Sequence, residues 1–299
     1  MSISPESRHQ EHFGKGVLFM LLGSVLFAVA DALGKFTTQN FPLFEVVWLR
    51  SLFGAMLVAL VIASNGRWQD FRTTNYRAHA KRSIAGLFLS LFMLTGLKYI
   101  PLAEVTAIAF ATPMIVAVYS AIVLKEKVGK DIFAAILIGL GGVILVVRPT
   151  PDHFHFGHLA MLGFALSSAY LSISARALVK TESALTLNLS IYPAGVVFFA
   201  GFAIKDWVTP DPVSLAALFG VALFATLALL SITRAVHLAT PAKVTPFDYS
   251  RIIWSVSFGF LFWGELPDAV TWTGIAIIIC CGLYIMNRGR RGRADSGQQ

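Results

Sequence analysis

Long apolar runs alternate with short polar connections along the chain, and the alternation recurs ten times. A helix rising 1.5 Å per residue needs about 20 apolar residues to cross a bilayer. Runs of that order cover residues 16–36, 44–63, 82–98, 102–124, 131–147, 157–179, 185–204, 213–235, 242–263 and 270–286. The first run is too long for the core of a signal peptide, and others follow it, so it reads as the first span. The connections are too short to hold an inserted soluble domain. The pattern predicts an all-α membrane protein of ten transmembrane helices.

Composition sharpens this reading. Of 299 residues, 56% are hydrophobic and 13% are charged, against about 25% charged in soluble domains. Lipid-facing positions can be apolar where water-facing ones cannot, and the mean hydropathy of +0.71 agrees. The net charge of +8 would suggest nucleic acid in a soluble chain. Here the cations mark topology. With the N-terminus inside, 18 Lys and Arg fall on the inner side, among them Arg67, Arg72, Arg77, Lys81 and Arg82, and four fall outside: Lys35, Lys98, Arg148 and Lys205. Arg50 and Arg251 lie within spans. This bias predicts cytoplasmic termini in a bacterial-type inner membrane, with lipid and not nucleic acid as the surroundings. Cys280 and Cys281 are adjacent in an apolar run, a spacing that suits buried inert thiols and neither a disulfide framework nor a metal site.

The two halves echo each other. Ala103-Glu104-Val105-Thr106 opens span 4 and Ala242-Lys243-Val244-Thr245 opens span 9, 139 residues later. Glu126 and Glu265, at the far ends of those spans, are also 139 apart; Lys35 and Arg176 are 141 apart. Five spans is an odd number, so the second half enters the membrane inverted, a plan recurrent in secondary transporters. The expected organisation is a tail over residues 1–15, repeat 1 over 16–148, repeat 2 over 149–287 and a basic tail over 288–299. Small residues at spacings of four (Ser24, Ala28 and Ala32; Ala135 and Gly139, beside Gly141 and Gly142) would let helices pack closely.

On these residues the chain resembles the drug/metabolite transporter superfamily, with two EamA-type domains over roughly residues 14–287. The resemblance rests on residues 27–35 (FAVADALGK), Trp48-Leu49-Arg50, the entry at 101–106, Leu124-Lys125-Glu126 and the glycine-rich stretch 139–142. It implies ten helices, a central cavity and alternating access, and leaves the substrate open among amino acids, vitamins, nucleotide sugars and drugs. Span 9 departs from the family pattern at Phe247-Asp248-Tyr249-Ser250-Arg251, where a more apolar helix is expected.

Charge inside a membrane is expensive and marks function by default. Counting rise from the helix ends places Asp31 and Arg50 at one depth, and Lys35 and Glu45 at another nearer the surface. These four are read either as two ion pairs clamping span 1 to span 2 or as groups coupled to solute or protons. Glu104 joins Asp31 as a candidate proton carrier, the competing role being a surface pair with Lys98. Arg251 falls near the midplane of span 9 beside Asp248, just after Pro246, which removes a backbone donor. It is the leading candidate to contact a solute; the competing reading is a self-satisfied Asp248–Arg251 pair shared with Arg234. Tyr170, Tyr192, Tyr249 and Trp254 could give such a cavity aromatic walls. His153, His155 and His158 cluster in the loop between the halves and read as solvated rather than metal-binding.

The sequence has no GxxxxGK[ST], HExxH or CxxC motif, and no nucleophile–base pair at mid-depth. It therefore points away from an ATP-driven pump and an enzyme, and needs no cofactor or metal. The expectation is a secondary carrier of a small organic metabolite, monomeric or homodimeric, with protons a candidate coupling ion. An aromatic cavity beside a midplane arginine suits a flat heteroaromatic with carbonyl oxygens, so riboflavin uptake leads. A carboxylate would also suit Arg251, so export of amino acids or related metabolites is the alternative.

Overall fold

The computed structural model describes residues 12–73, 75–123, 129–179 and 181–296. Arg8, Lys125, Glu126, Lys127 and Lys180, on which part of the charge count and of the repeat rests, lie outside the described residues. Among the described residues nine helices are long and apolar enough to cross a membrane. These are span 1 (Phe13–Asn40), span 2 (Leu43–Ser64), span 3 (Tyr76–Tyr99), span 4 (Leu102–Ile122), span 5 (Lys130–Val147), span 6 (Phe156–Leu178), span 7 (Ala184–Lys205), span 8 (Pro212–Leu238) and span 10 (Ala269–Arg288). The ninth segment is broken. It runs as helix Pro241–Val244, a 3₁₀ turn Thr245–Ser250, and helix Arg251–Trp263. Pro246 lies inside the turn, where its missing N–H and fixed φ disfavour a continuous α-helix. With this broken segment the expected ten are present.

Two other spans break where proline interrupts the apolar run. Span 4 divides into Leu102–Ala109 and Thr112–Val123 around Pro113, and span 7 into Ala184–Leu189 and Pro193–Lys205. Span 3 departs from expectation at its start. It begins at Tyr76 rather than near residue 82, so His79 and Arg82 are buried helical residues and not loop cations.

Neighbours in space are not neighbours in sequence. Span 1 packs chiefly on span 8, and span 3 on span 6; span 5 packs on span 10, and span 2 on span 7. Exchanging 1 with 6, 2 with 7, 3 with 8 and 5 with 10 maps this set of pairs onto itself, as two inverted halves require. The small residues sit at the close approaches. Gly23 faces Ile232 and the Ala228 carbonyl across the span 1–span 8 contact, and Gly142 faces Ile277 and the Gly274 carbonyl across span 5–span 10. Lipid offers no hydrophobic driving force between helices, so such tight contacts carry much of the packing.

The face holding Phe13 and Arg288 is called terminal below, and the other distal. Spans 1, 3, 5, 7 and 9 run from terminal to distal.

Candidate functional site

A cavity of about 420 Å³ is lined by residues of both halves, with its charged groups and tyrosines drawn from spans 1, 2, 7 and 9. Asp31 of span 1 forms an ion pair with Arg251 of span 9, and the guanidinium lies over the Phe27 ring, 4.9 Å from its centroid. Asp31 is only 5% exposed; a carboxylate removed from water needs such a partner. Arg50 of span 2 donates to the Ser90 hydroxyl and lies within electrostatic reach of Asp31. Asp248 accepts from the Ser24 hydroxyl at 3.0 Å. Tyr249 packs edge-on against Phe110, centroids 4.7 Å apart. The Tyr249 hydroxyl and Arg251 Nε are buried with no hydrogen-bond partner among the described residues. Tyr192 reaches the cavity from the break in span 7, its ring set against Gly54. The lining therefore holds two arginines, two aspartates and two tyrosines among aromatic and aliphatic walls.

The cavity lining reaches toward the terminal face. It includes Asn188 and Thr245, each four residues into its span, and Met286, two residues from the end of span 10. A polar cluster, called the lock below, ties three segments together at the distal end. Lys35, 3% exposed, pairs with Glu265, donates to the Ile100 carbonyl at 3.1 Å and lies 5.4 Å from the Trp263 ring centroid. The other oxygen of Glu265 accepts from Leu102 N at 3.2 Å. Span 1, the turn between spans 3 and 4, and the end of span 9 thus meet on one ammonium.

A second cavity of about 370 Å³ lies at the distal face, lined by Glu104, Arg148, His153, His158, Glu265 and Asp268 among others. His158 is 2% exposed. Its Nδ1 accepts from the His155 backbone N–H at 3.1 Å, so Nε2 carries the proton and donates to Glu104 at 2.8 Å. Arg148 pairs with Asp268, and that hydrogen bond, with one from Thr271 N, holds the Asp268 carboxyl well below the usual carboxylate range.

Several expected partners are different ones. Asp31 pairs with Arg251 and not Arg50, and Lys35 with Glu265 and not Glu45, because span 1 packs on spans 8 and 9 and barely touches span 2. Glu45 instead accepts from Val208 N in the loop between spans 7 and 8. Asp248 takes Ser24 rather than closing on Arg251, and Arg234 is exposed. Glu104 takes His158 rather than Lys98, which makes His158 a buried interhelical group and not a solvated loop residue. Tyr170 lies edge-on to Tyr119 outside the cavity lining, and Trp254 is 38% exposed on the outer surface of the bundle. Among the described residues no group of three or more His, Cys, Asp or Glu could hold a metal ion. The sequence reading missed Arg82, His158 and Glu265. The spacing of Glu265 from Glu126 was the one available signal for the last of these.

Known proteins fit this arrangement. The chain is 25% identical over 280 residues to a riboflavin transporter of Vibrio cholerae, covering 92% of this chain and 94% of that protein. It is 25% identical to the pseudopaline exporter CntI of Pseudomonas aeruginosa, covering 93% and 97%. It is 24% identical to an S-adenosylmethionine uptake transporter of Rickettsia prowazekii, covering 91% and 92%. A solved crystal structure superposes with a TM-score of 0.63 at 18% identity, over 93% of this chain and 98% of that one, and shares the fold. The profile of the EamA-like transporter family matches twice, over residues 14–148 and 155–288. With two matched halves, membrane-spanning helices throughout and small-metabolite transporters as relatives, this chain belongs to the EamA-like transporter family.

Proposed function

We propose that the protein is a secondary transporter carrying a small metabolite that bears both a carboxylate and a cationic group. The reading is carried by one observation: Arg50, Arg251, Asp31 and Asp248 all line a single mid-membrane cavity. A solute of both signs can exchange ion pairs with these groups and leave no charge stranded in low dielectric. Arginine recognises a carboxylate by paired N–H donors. The Tyr249 hydroxyl and Arg251 Nε supply buried donors besides. Alternating access follows from the inverted halves: the cavity reaching toward the terminal face, with its distal lock, is one state, and its inverse the other. The basic loops support an orientation with both termini in the cytoplasm.

Riboflavin is the second reading. It is favoured by the flat aromatic groups Phe27, Phe110, Phe164 and Tyr249 around the cavity and by the Vibrio relative. Uptake into proteoliposomes, run with an amino-acid panel beside riboflavin and with and without an ionophore, separates the two. Saturable movement of an amino acid that the ionophore abolishes supports the first reading. Movement of riboflavin alone replaces it with the second, and movement of neither discards both. A C-terminal reporter fusion active in the periplasm would overturn the orientation.

A further inference from the structure

We propose that Arg82 is a positioning residue that holds the break in span 7 so that Asn188 and Tyr192 face the solute. The inference rests on the central cavity being the solute site. Arg82 lies six residues into span 3 and is 4% exposed, with no carboxylate within ion-pair distance among the described residues. All its hydrogen-bond partners among the described residues are neutral oxygens on spans 6 and 7. Nε donates to the Ser190 hydroxyl at 3.1 Å and Nη2 to the Leu187 carbonyl at 3.0 Å. Nη1 donates to the Leu171 carbonyl at 2.9 Å and the Ser174 hydroxyl at 2.6 Å.

These bonds fall on the interruption itself. In a continuous helix the Leu187 carbonyl would accept from Ile191 N. Here Ile191 N turns to Asn188 O at 3.4 Å, and Tyr192 N to Leu189 O at 3.3 Å. Pro193, first residue of the next helix, has no N–H to offer. A carbonyl freed inside a membrane needs a replacement donor; the Leu187 carbonyl accepts from Arg82 Nη2 and from the Ser190 hydroxyl at 2.7 Å, the same hydroxyl that accepts from Arg82 Nε. The next residue of span 3 completes the tie: the Ser83 hydroxyl accepts from Ala194 N at 2.7 Å. Gly86, one turn further, lets the backbone of span 3 approach the Ile191 carbonyl directly. Span 3 therefore grips span 7 on both sides of the break, and the residues between, Asn188 to Tyr192, include the three that line the cavity from this span. A planar fork with five N–H donors can hold four oxygens spread over two helices; an ammonium has only three donors at one point.

The test needs no knowledge of the solute. In the full chain, with Cys280→Ser and Cys281→Ala as background, a single cysteine is placed by Asn188→Cys or, as control on span 8, by Ala225→Cys, and N-ethylmaleimide labelling is timed in membranes. Adding Arg82→Gln should change the Asn188→Cys rate by about tenfold, equivalent to one lost hydrogen bond to a charged group. Ala225→Cys should stay within about twofold, and Arg82→Lys should behave like Arg82→Gln because it keeps the charge and loses the fork. If Arg82→Gln does not accumulate in the membrane, Arg82→Lys carries the same comparison. Unchanged Asn188→Cys labelling, or equal changes at both cysteines, overturns the proposal and leaves Arg82 a role in the fold alone. Failure of every transported solute would sink the solute site and leave this local result standing.

Discussion

Replacing Glu265 by glutamine should open the distal end of the cavity. The substitution keeps a side-chain oxygen to accept from Leu102 N, so the backbone group stays satisfied and only the charge is lost. Lys35 is then buried with the Ile100 carbonyl and the Trp263 ring as its remaining partners. Removing one member of a fully buried pair costs about 3–5 kcal/mol. Water reaches the Glu265 side chain, which is a quarter exposed, and this screening lowers the figure to about 2–3 kcal/mol. That cost falls only on the closed arrangement, because Lys35 gains solvent once the lock parts. At about 1.4 kcal/mol per factor of ten, the equilibrium between closed and open shifts by about 30- to 140-fold.

The readout is a cysteine at Ala30, which lines the cavity below the lock, labelled by a membrane-impermeant thiosulfonate added on the distal side of sealed vesicles. Glu265→Gln should speed labelling by a factor in that range, and the double variant Lys35→Glu with Glu265→Lys should return it toward the parent. If Glu265→Gln leaves labelling unchanged, or the charge-reversed pair labels as fast as either single variant, then the ion pair does not hold the distal end shut.

Three further outcomes follow from the geometry. Arg251→Ala should abolish transport of the solute found by the uptake panel, while Tyr170→Phe and Trp254→Ala should each keep most of it, since neither ring lines the cavity; rates in proteoliposomes decide. Asp268→Asn should lower the melting temperature equally at pH 5 and pH 8: a carboxyl depressed by Arg148 contributes fully above its unfolded value of about 4 and loses that contribution only as pH falls toward its lower folded value. A difference between the two pH values would contradict the assigned partner. Gly142→Ala should destabilise the span 5–span 10 contact by about 1–3 kcal/mol, because its Cβ would come within 3.0 Å of the Gly274 carbonyl; unaltered thermal stability would show that the helices can part freely there.

What the sequence discloses is the run of each span and its interruptions. Apolar length finds the helices, and Pro246 beside Asp248 and Arg251 marks the broken segment, because a missing N–H and a buried charge both carry a cost visible residue by residue. Partners are not visible in that way. Matching Asp31 to Arg50 by depth used correct depths and the wrong neighbour, since inverted halves interleave and bring span 9, not span 2, against span 1. Arg82 counts as a loop cation in the charge pattern because the apolar window opens at it; the helix starts six residues earlier, and carbonyls and hydroxyls of two other spans accept the donors of Arg82. Tyr170 and Trp254 show a further limit. A membrane helix is apolar on every side, so its pattern does not separate the lipid face from the cavity face.

The ion pairs bear on how such a chain can move. Six of the seven acid–base contacts among the described residues join the first half to the second, four with lysine or arginine as the base (Asp31–Arg251, Lys35–Glu265, Asp131–Arg288 and Arg148–Asp268) and two through histidine (His79–Glu182 and Glu104–His158). The largest helix contacts, span 1 on span 8 and span 3 on span 6, cross between halves as well. A rigid swing of one half against the other about the loop near residue 150 would have to break nearly all of these together. The ties divide instead into groups that each mix the halves: span 1 with spans 8 and 9, span 3 with spans 6 and 7 through Arg82, and span 5 with span 10. The cavity lies between the first two groups, and the Lys35–Glu265–Leu102 lock is the polar tie that joins them at the distal end. The Lys35–Glu265 pair lies within the first group, so parting the groups at this end costs the hydrogen bonds that Ile100 O and Leu102 N make with it, while parting the halves breaks the pair itself and the other five contacts, and the lower barrier lies between the mixed groups.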